Sequence, residues 1–109
     1  IDNFRSVNGS APNFVHSLDA SALTLTIHMC KDHNIHDFAM IHDSYGTHAH
    51  NTPKLAELLR KAFVQIYTDH DVLEDYRKAA LEVLDEVPEP PKRGNLDINQ
   101  VLESSYFFC

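Results

Sequence analysis

The sequence predicts an α+β fold in which one β-hairpin packs against several α-helices. Three observations carry that expectation. A five-residue run from Asp37 to Ile41, ending in a β-branched residue, is broken by the polar triplet His42-Asp43-Ser44 and resumed at Tyr45 and Thr47, the pattern of strand, turn and strand. On either side, residues 17–32 and 52–67 repeat apolar side chains every three to four positions, the period of an amphipathic helix. A chain of 109 residues, 43% of them hydrophobic, can bury a core as one domain over residues 1–109, yet is small enough that losing neighbours would hurt.

Taken in order, residues 1–15 carry Asn8-Gly9-Ser10 and Ala11-Pro12-Asn13, which read as turn and loop. A helix is expected to follow, with His16 at its start and Ser17 as N-cap. Leu18, Ala22, Leu25 and Met29 form one stripe and Leu23, Ile27 and Cys30 the adjoining one, so this helix is expected to be largely buried. It should end near Asp32–Asn34, because asparagine tolerates the left-handed conformation that closes helices. Within this end His28, Cys30, His33 and His36 could be taken for a zinc site. Structural zinc sites usually present two paired ligand clusters and only one is present, while cationic histidines also suit a helix C-terminus.

In the first strand Phe38 and Met40 point one way and Ala39 and Ile41 the other, which predicts burial on both faces. Asp43 then stands at the tip of a rigid strand. That position suits a magnesium ion, which needs near-ideal octahedral oxygen geometry and keeps several waters; equally, Asp-Ser is an ordinary turn former.

Thr52-Pro53 opens the clearest helix, since proline is preorganised for a first helical position and threonine can cap. Leu55, Leu58, Leu59, Ala62, Phe63, Ile66 and Tyr67 make its core face. Asp71 and Glu74 resemble a capping box for a further helix with Val72, Leu73, Tyr76, Ala80, Val83 and Leu84 inward. The prolines of Val87–Gly94 remove donors and clash with a helical turn, so this stretch is an extended connector. Asp97 and Gln100 suggest a second capping box, for a short helix through Val101 and Leu102. The carboxyl end, Tyr106-Phe-Phe-Cys109, is too apolar to be left in water and is expected to dock.

The stretch Ala39-Met-Ile-His-Asp-Ser-Tyr-Gly-Thr47 resembles motif C of the single-subunit, phage-type DNA-dependent RNA polymerases. Ala11-Pro-Asn-Phe-Val-His-Ser17, Gly94-Asn-Leu-Asp97 and the aromatic end fall in the same family's order, so the resemblance spans nearly the whole chain. It implies a palm-type hairpin within a larger right-hand polymerase fold, with this chain as its carboxyl-terminal palm and tail. Asp43 matches one of two metal-binding catalytic aspartates, with magnesium as the cofactor. His16, His42 and Ser44 match positions of nucleic-acid or nucleotide contact, and Phe107, Phe108 and Cys109 the end that folds beside the active site; a plain hydrophobic plug would explain those aromatics as well. Ala22 departs from the histidine expected there, and no lysine or arginine occurs between Leu18 and Cys30. The second aspartate and the nucleotide-holding lysine and tyrosine have no counterpart, and are expected upstream of Ile1. Ile1 itself reads as a boundary set by cloning or processing.

The resemblance implies DNA template, RNA product, ribonucleoside triphosphates and the remaining polymerase domains as partners, with the isolated chain inactive. It points to a phage protein in the bacterial cytoplasm rather than a mitochondrial one. The formal charge of −7 argues against nucleic-acid binding by this piece alone, because phosphate contacts require a basic surface. An open hairpin face should make the chain self-associate. No run approaches a membrane span, and a soluble chain is expected. Two cysteines are too few for a disulfide framework, so both thiols are expected free, in a reducing compartment. Two other functions remain open: a His-Asp metal-dependent phosphohydrolase, using His42-Asp43 with His16, His28 or His33, and a non-catalytic acidic interaction domain.

Overall fold

The computed structural model describes residues 2–107. Their elements run in the order α1 (Asn3–Asp32), β1 (Ala39–Ile41), β2 (Ser44–Gly46), a 3-10 turn (Ala49–Asn51), α2 (Thr52–Asp69), α3 (Val72–Leu81) and α4 (Gln100–Glu103). This is an α+β chain with a two-stranded antiparallel sheet. The described residues divide within α2, between Ala62 and Phe63, into two compact units.

In the first unit, α1 begins well before the position expected from the sequence. Asp2 caps it, accepting the Arg5 amide at 3.2 Å, and the helix runs through Asn8-Gly9-Ser10 and over Pro12. The turn signals lose because a proline removes one donor from a ladder that the flanking residues continue, and the Ser6 and Ser10 hydroxyls fold back onto Asp2 and Ser6 carbonyls at 3.0 and 2.8 Å. Ser17 is therefore no N-cap; it lies inside the helix and donates to the Phe14 carbonyl at 2.7 Å. The stripes of residues 18–30 are half-buried rather than enclosed, with only Thr26 and Cys30 of α1 fully buried. Thr26 tolerates this because its hydroxyl donates to the Ala22 carbonyl at 2.7 Å.

The end of α1 is as the sequence predicts. Asn34 takes φ 59°, its amide donates to the Lys31 carbonyl and the Ile35 amide to the Cys30 carbonyl, both at 3.0 Å. This paired closure turns the chain so that Ile35 drops back against Cys30, which begins the core. Leu55 and Leu58 of α2 complete it, with Met29, Phe38 and Tyr45 packed alongside.

The second half of α2 opens the second unit. Ile66 is buried with the leucine stripe, and so is Val64, which lies across the helix from it. Phe63 and Tyr67 are half-buried and meet at a centroid distance of 4.8 Å. Asp71 caps α3 by accepting the Glu74 amide at 3.2 Å, but Leu73, Tyr76, Val83 and Leu84 are exposed, not inward: α3 stops at Leu81 and offers its apolar stripe to solvent. The proline-rich connector is extended, as expected. Arg77 reaches the Val87 carbonyl at 3.4 Å, and Arg93 lies 3.3 Å from the Asp71 carboxylate, so two arginines tether it to α3. At α4 the Asp97 carboxylate accepts from the Asn99 amide and side chain, at 3.0 and 2.8 Å, in place of the expected box with Gln100. Phe107 docks edge-on against Phe63 at 4.8 Å, whereas Tyr106 is 84% exposed. Among the described residues no helix is long and apolar enough to cross a membrane.

Candidate functional site

The hairpin pairs Ala39 with Gly46, Met40 with Tyr45 and Ile41 with Ser44, which leaves His42 and Asp43 as a two-residue loop. His42 adopts φ 54°, a left-handed conformation that glycine usually supplies in such loops and that costs an ordinary residue about 1 kcal/mol or more. Gly46 serves the other end of the ladder. A Cβ there would sit 3.1 Å from the Ala39 carbonyl oxygen and 3.3 Å from Ala39 Cβ, so only glycine lets the strands close this tightly.

Strand alternation then fixes the two faces. Met40 and Tyr45, opposite one another, are the half-buried pair, and Tyr45 lies against the core. The expectation that β1 is buried on both faces fails: Ala39 is exposed and Ile41 is 67% exposed, because two strands packed on one layer of helix cover one face only.

Asp43 is exposed in the turn, flanked by exposed His42 and Ser44. Tyr45 reports the local field. Burial pushes its phenol above its ordinary value, and the carboxylates of Asp19 and Asp43 push it further. Asp19, on α1, thus acts on the same hydroxyl as the turn carboxylate. No spacing rule in the sequence links it to the hairpin, so it was not among the expected site residues.

The other candidates are placed as follows. His16 lies inside α1 and exposed, not at a helix start. His33 forms the C-cap of α1, its Nδ1 2.9 Å from the Met29 carbonyl, and the Cys30 thiol is buried and pushed up by desolvation. Among the described residues no three His, Cys, Asp or Glu side chains converge as a metal-holding group, so the His42-Asp43 pair is not joined by His16, His28 or His33. A lone exposed carboxylate still fits a magnesium ion that keeps most of its waters. Phe108 and Cys109 lie outside the described residues.

A family model described as DNA-dependent RNA polymerase matches residues 1–86, which include the whole hairpin. The chain belongs to that family. It is 41% identical over 99 residues to tobacco "DNA-directed RNA polymerase 1A", covering 89% of this chain and 63% of that protein. To the DNA-directed RNA polymerase of Enterobacteria phage T3 it is 38% identical over 115 aligned positions, covering 100% of this chain and 13% of the phage protein. "DNA-directed RNA polymerase 1, mitochondrial" of Nicotiana sylvestris is 41% identical over 99 residues, 89% of this chain and 10% of that protein. The chain therefore spans under two thirds of these relatives, and about a tenth of the longer ones.

Proposed function

We propose that this chain is the carboxyl-terminal palm segment of a DNA-directed RNA polymerase with a right-hand fold, and that Asp43 supplies one of two carboxylates for template-dependent nucleotidyl transfer. The observation that carries this reading is an exposed aspartate, fixed in a two-residue turn, inside the stretch matched to the polymerase family.

In this reading Asp43 would hold magnesium together with a second carboxylate outside the chain, and the metal would supply activation of the attacking hydroxyl and neutralisation of the leaving pyrophosphate. The chain's own contribution is placement. The tight turn presents Asp43 to solvent, and Phe38 and Tyr45 seat the hairpin on the core formed by Cys30, Ile35, Leu55 and Leu58. His42 and Ser44 flank the carboxylate for nucleotide contact, and His16 projects from α1 toward nucleic acid.

DNA template, RNA and ribonucleoside triphosphates are partners of the complete polymerase. The isolated segment, with a charge of −7 and only one of the two carboxylates of the proposed metal site, is inactive and binds magnesium weakly. Its uncovered hairpin face, Ala39 and Ile41, drives self-association. The phage T3 and K11 enzymes align with the whole chain at 38% and 37% identity and the plant enzymes with 89% of it at 41%; a phage protein acting in a bacterial host is the reading taken from the motif stretch. The phosphohydrolase alternative loses support because His42-Asp43 stands in a turn without the further histidines.

The deciding experiment is Asp43→Asn in an intact polymerase carrying this segment. Removing the charge at nearly constant volume should abolish RNA synthesis and leave the melting temperature unchanged; retained synthesis would overturn the reading. Incorporation of nucleotides by the purified 109-residue chain would overturn its assignment as an inactive segment.

A further inference from the structure

Only three residue pairs make the ladder that aims Asp43, and a hairpin this short is marginal on its own. Its register, carried two positions beyond the last pair, sets Asp37 opposite His48. At that point the structure places two side-chain links that the ladder does not provide. His48 Nε2 lies 3.6 Å from Asp37 Oδ2, an ion pair whenever the imidazole is protonated. The Thr47 hydroxyl donates to the Asp37 carbonyl oxygen at 2.9 Å. Both links converge on Asp37, one on its side chain and one on its backbone.

We propose that Asp37 is a positioning residue for Asp43, closing the open end of the hairpin through His48 and Thr47 so that the turn at the opposite end holds one orientation. The proposal rests on the reading of Asp43 as a metal-binding carboxylate. Asp37 touches no reacting group. Its side chain and that of His48 are 80% and 72% exposed, so the ion pair alone is a weak tie, and the shorter Thr47 bond is the stronger half of the clasp. The arrangement also gives a reason for Gly46 at the end of β2 and Thr47-His48 just beyond it: Gly46 permits the close approach to Ala39, and the next two side chains lock it.

Amide exchange on the 109-residue chain tests the clasp itself. Asp37→Ala should quicken exchange at Ala39 and Gly46 about two- to fivefold, and Thr47→Val about fivefold, with α1 amides near Cys30 unchanged. Unaltered rates at Ala39 and Gly46 in both variants would overturn the proposal. In an intact polymerase, Asp37→Ala should lower kcat about two- to fivefold at constant nucleotide KM, and Asp37→Glu, which keeps the carboxylate for His48, should recover most of it. Faster exchange with kcat unchanged would show a clasp without a positioning role and so refute the inference alone. Synthesis surviving Asp43→Asn would instead remove the reading on which it rests.

Discussion

Phe107→Ala is the substitution whose cost the structure lets one work out most directly. The Phe107 ring meets Phe63 at a centroid distance of 4.8 Å with the planes 67° apart, an edge-to-face pair. Fully burying a phenylalanine contributes about 1.5–3 kcal/mol, and Phe107 is half-buried, so truncation forfeits about 1 kcal/mol of burial. Such a ring pair adds about 0.5–1.5 kcal/mol beyond area. The expected loss is about 2 kcal/mol, a large share of the ~5–15 kcal/mol that stabilises a domain of this size. Urea unfolding of the chain, followed by far-ultraviolet circular dichroism, would show it as a lower midpoint at constant slope. A cycle with Phe63→Leu should return a coupling of about 1 kcal/mol. A loss under about 0.5 kcal/mol, or no coupling, would refute the argument that the tail is held by this ring. The same variant in an intact polymerase separates a plug from a support for Asp43: stability falls in either case, but the catalytic rate falls only in the second.

At Asn34, φ 59° makes Asn34→Val cost about 1–2 kcal/mol while Asn34→Gly is neutral or mildly stabilising, measurable as opposite shifts in urea midpoint. Glu57 is held down to about 2 by hydrogen bonds from Lys61 and then Lys54. A carboxylate depressed on folding adds stability above its unfolded pKa, here near 4.5, and that contribution disappears as pH falls toward about 2. Lys61→Met should therefore raise the Glu57 titration midpoint in a carboxyl-carbon NMR titration. Asp43→Asn should lower the Tyr45 phenol pKa, leaving it above its ordinary value because burial is the larger cause; an unmoved Tyr45 resonance titration would show that the two groups do not interact.

The features legible in the sequence were those set by local chemistry. The His-Asp turn between strand-forming residues gave the hairpin and the exposure of Asp43, Asn34 marked the end of α1, and Pro53 and its leucines marked α2. Where the reading missed, a local signal met a competing term. Pro12 and Gly9 looked like a break, yet the helix ladder bridged both. The α3 stripe looked like core, yet amphipathic spacing reports which side could be covered and not whether anything covers it; Ile41 fails for the same reason. Asp19 was not foreseen at the hairpin, nor were the links of Thr47 and His48 to Asp37, because each acts through a partner distant in the chain or through a register that only the folded strands define.

The end of α1 held by Thr26 and Cys30 makes the helix a cantilever. At 1.5 Å per residue, His16 stands about 21 Å along the axis from Cys30. A tilt of about 5° at the clamped end would sweep His16 through about 2 Å, most of a hydrogen-bond length. The aim of an exposed histidine is thus governed by the packing of a buried hydroxyl about three turns away and a buried thiol about four turns away. Enlarging the side chain at Cys30 would misdirect His16 without touching it, whereas the same change near Asp2 would swing nothing but the free tip.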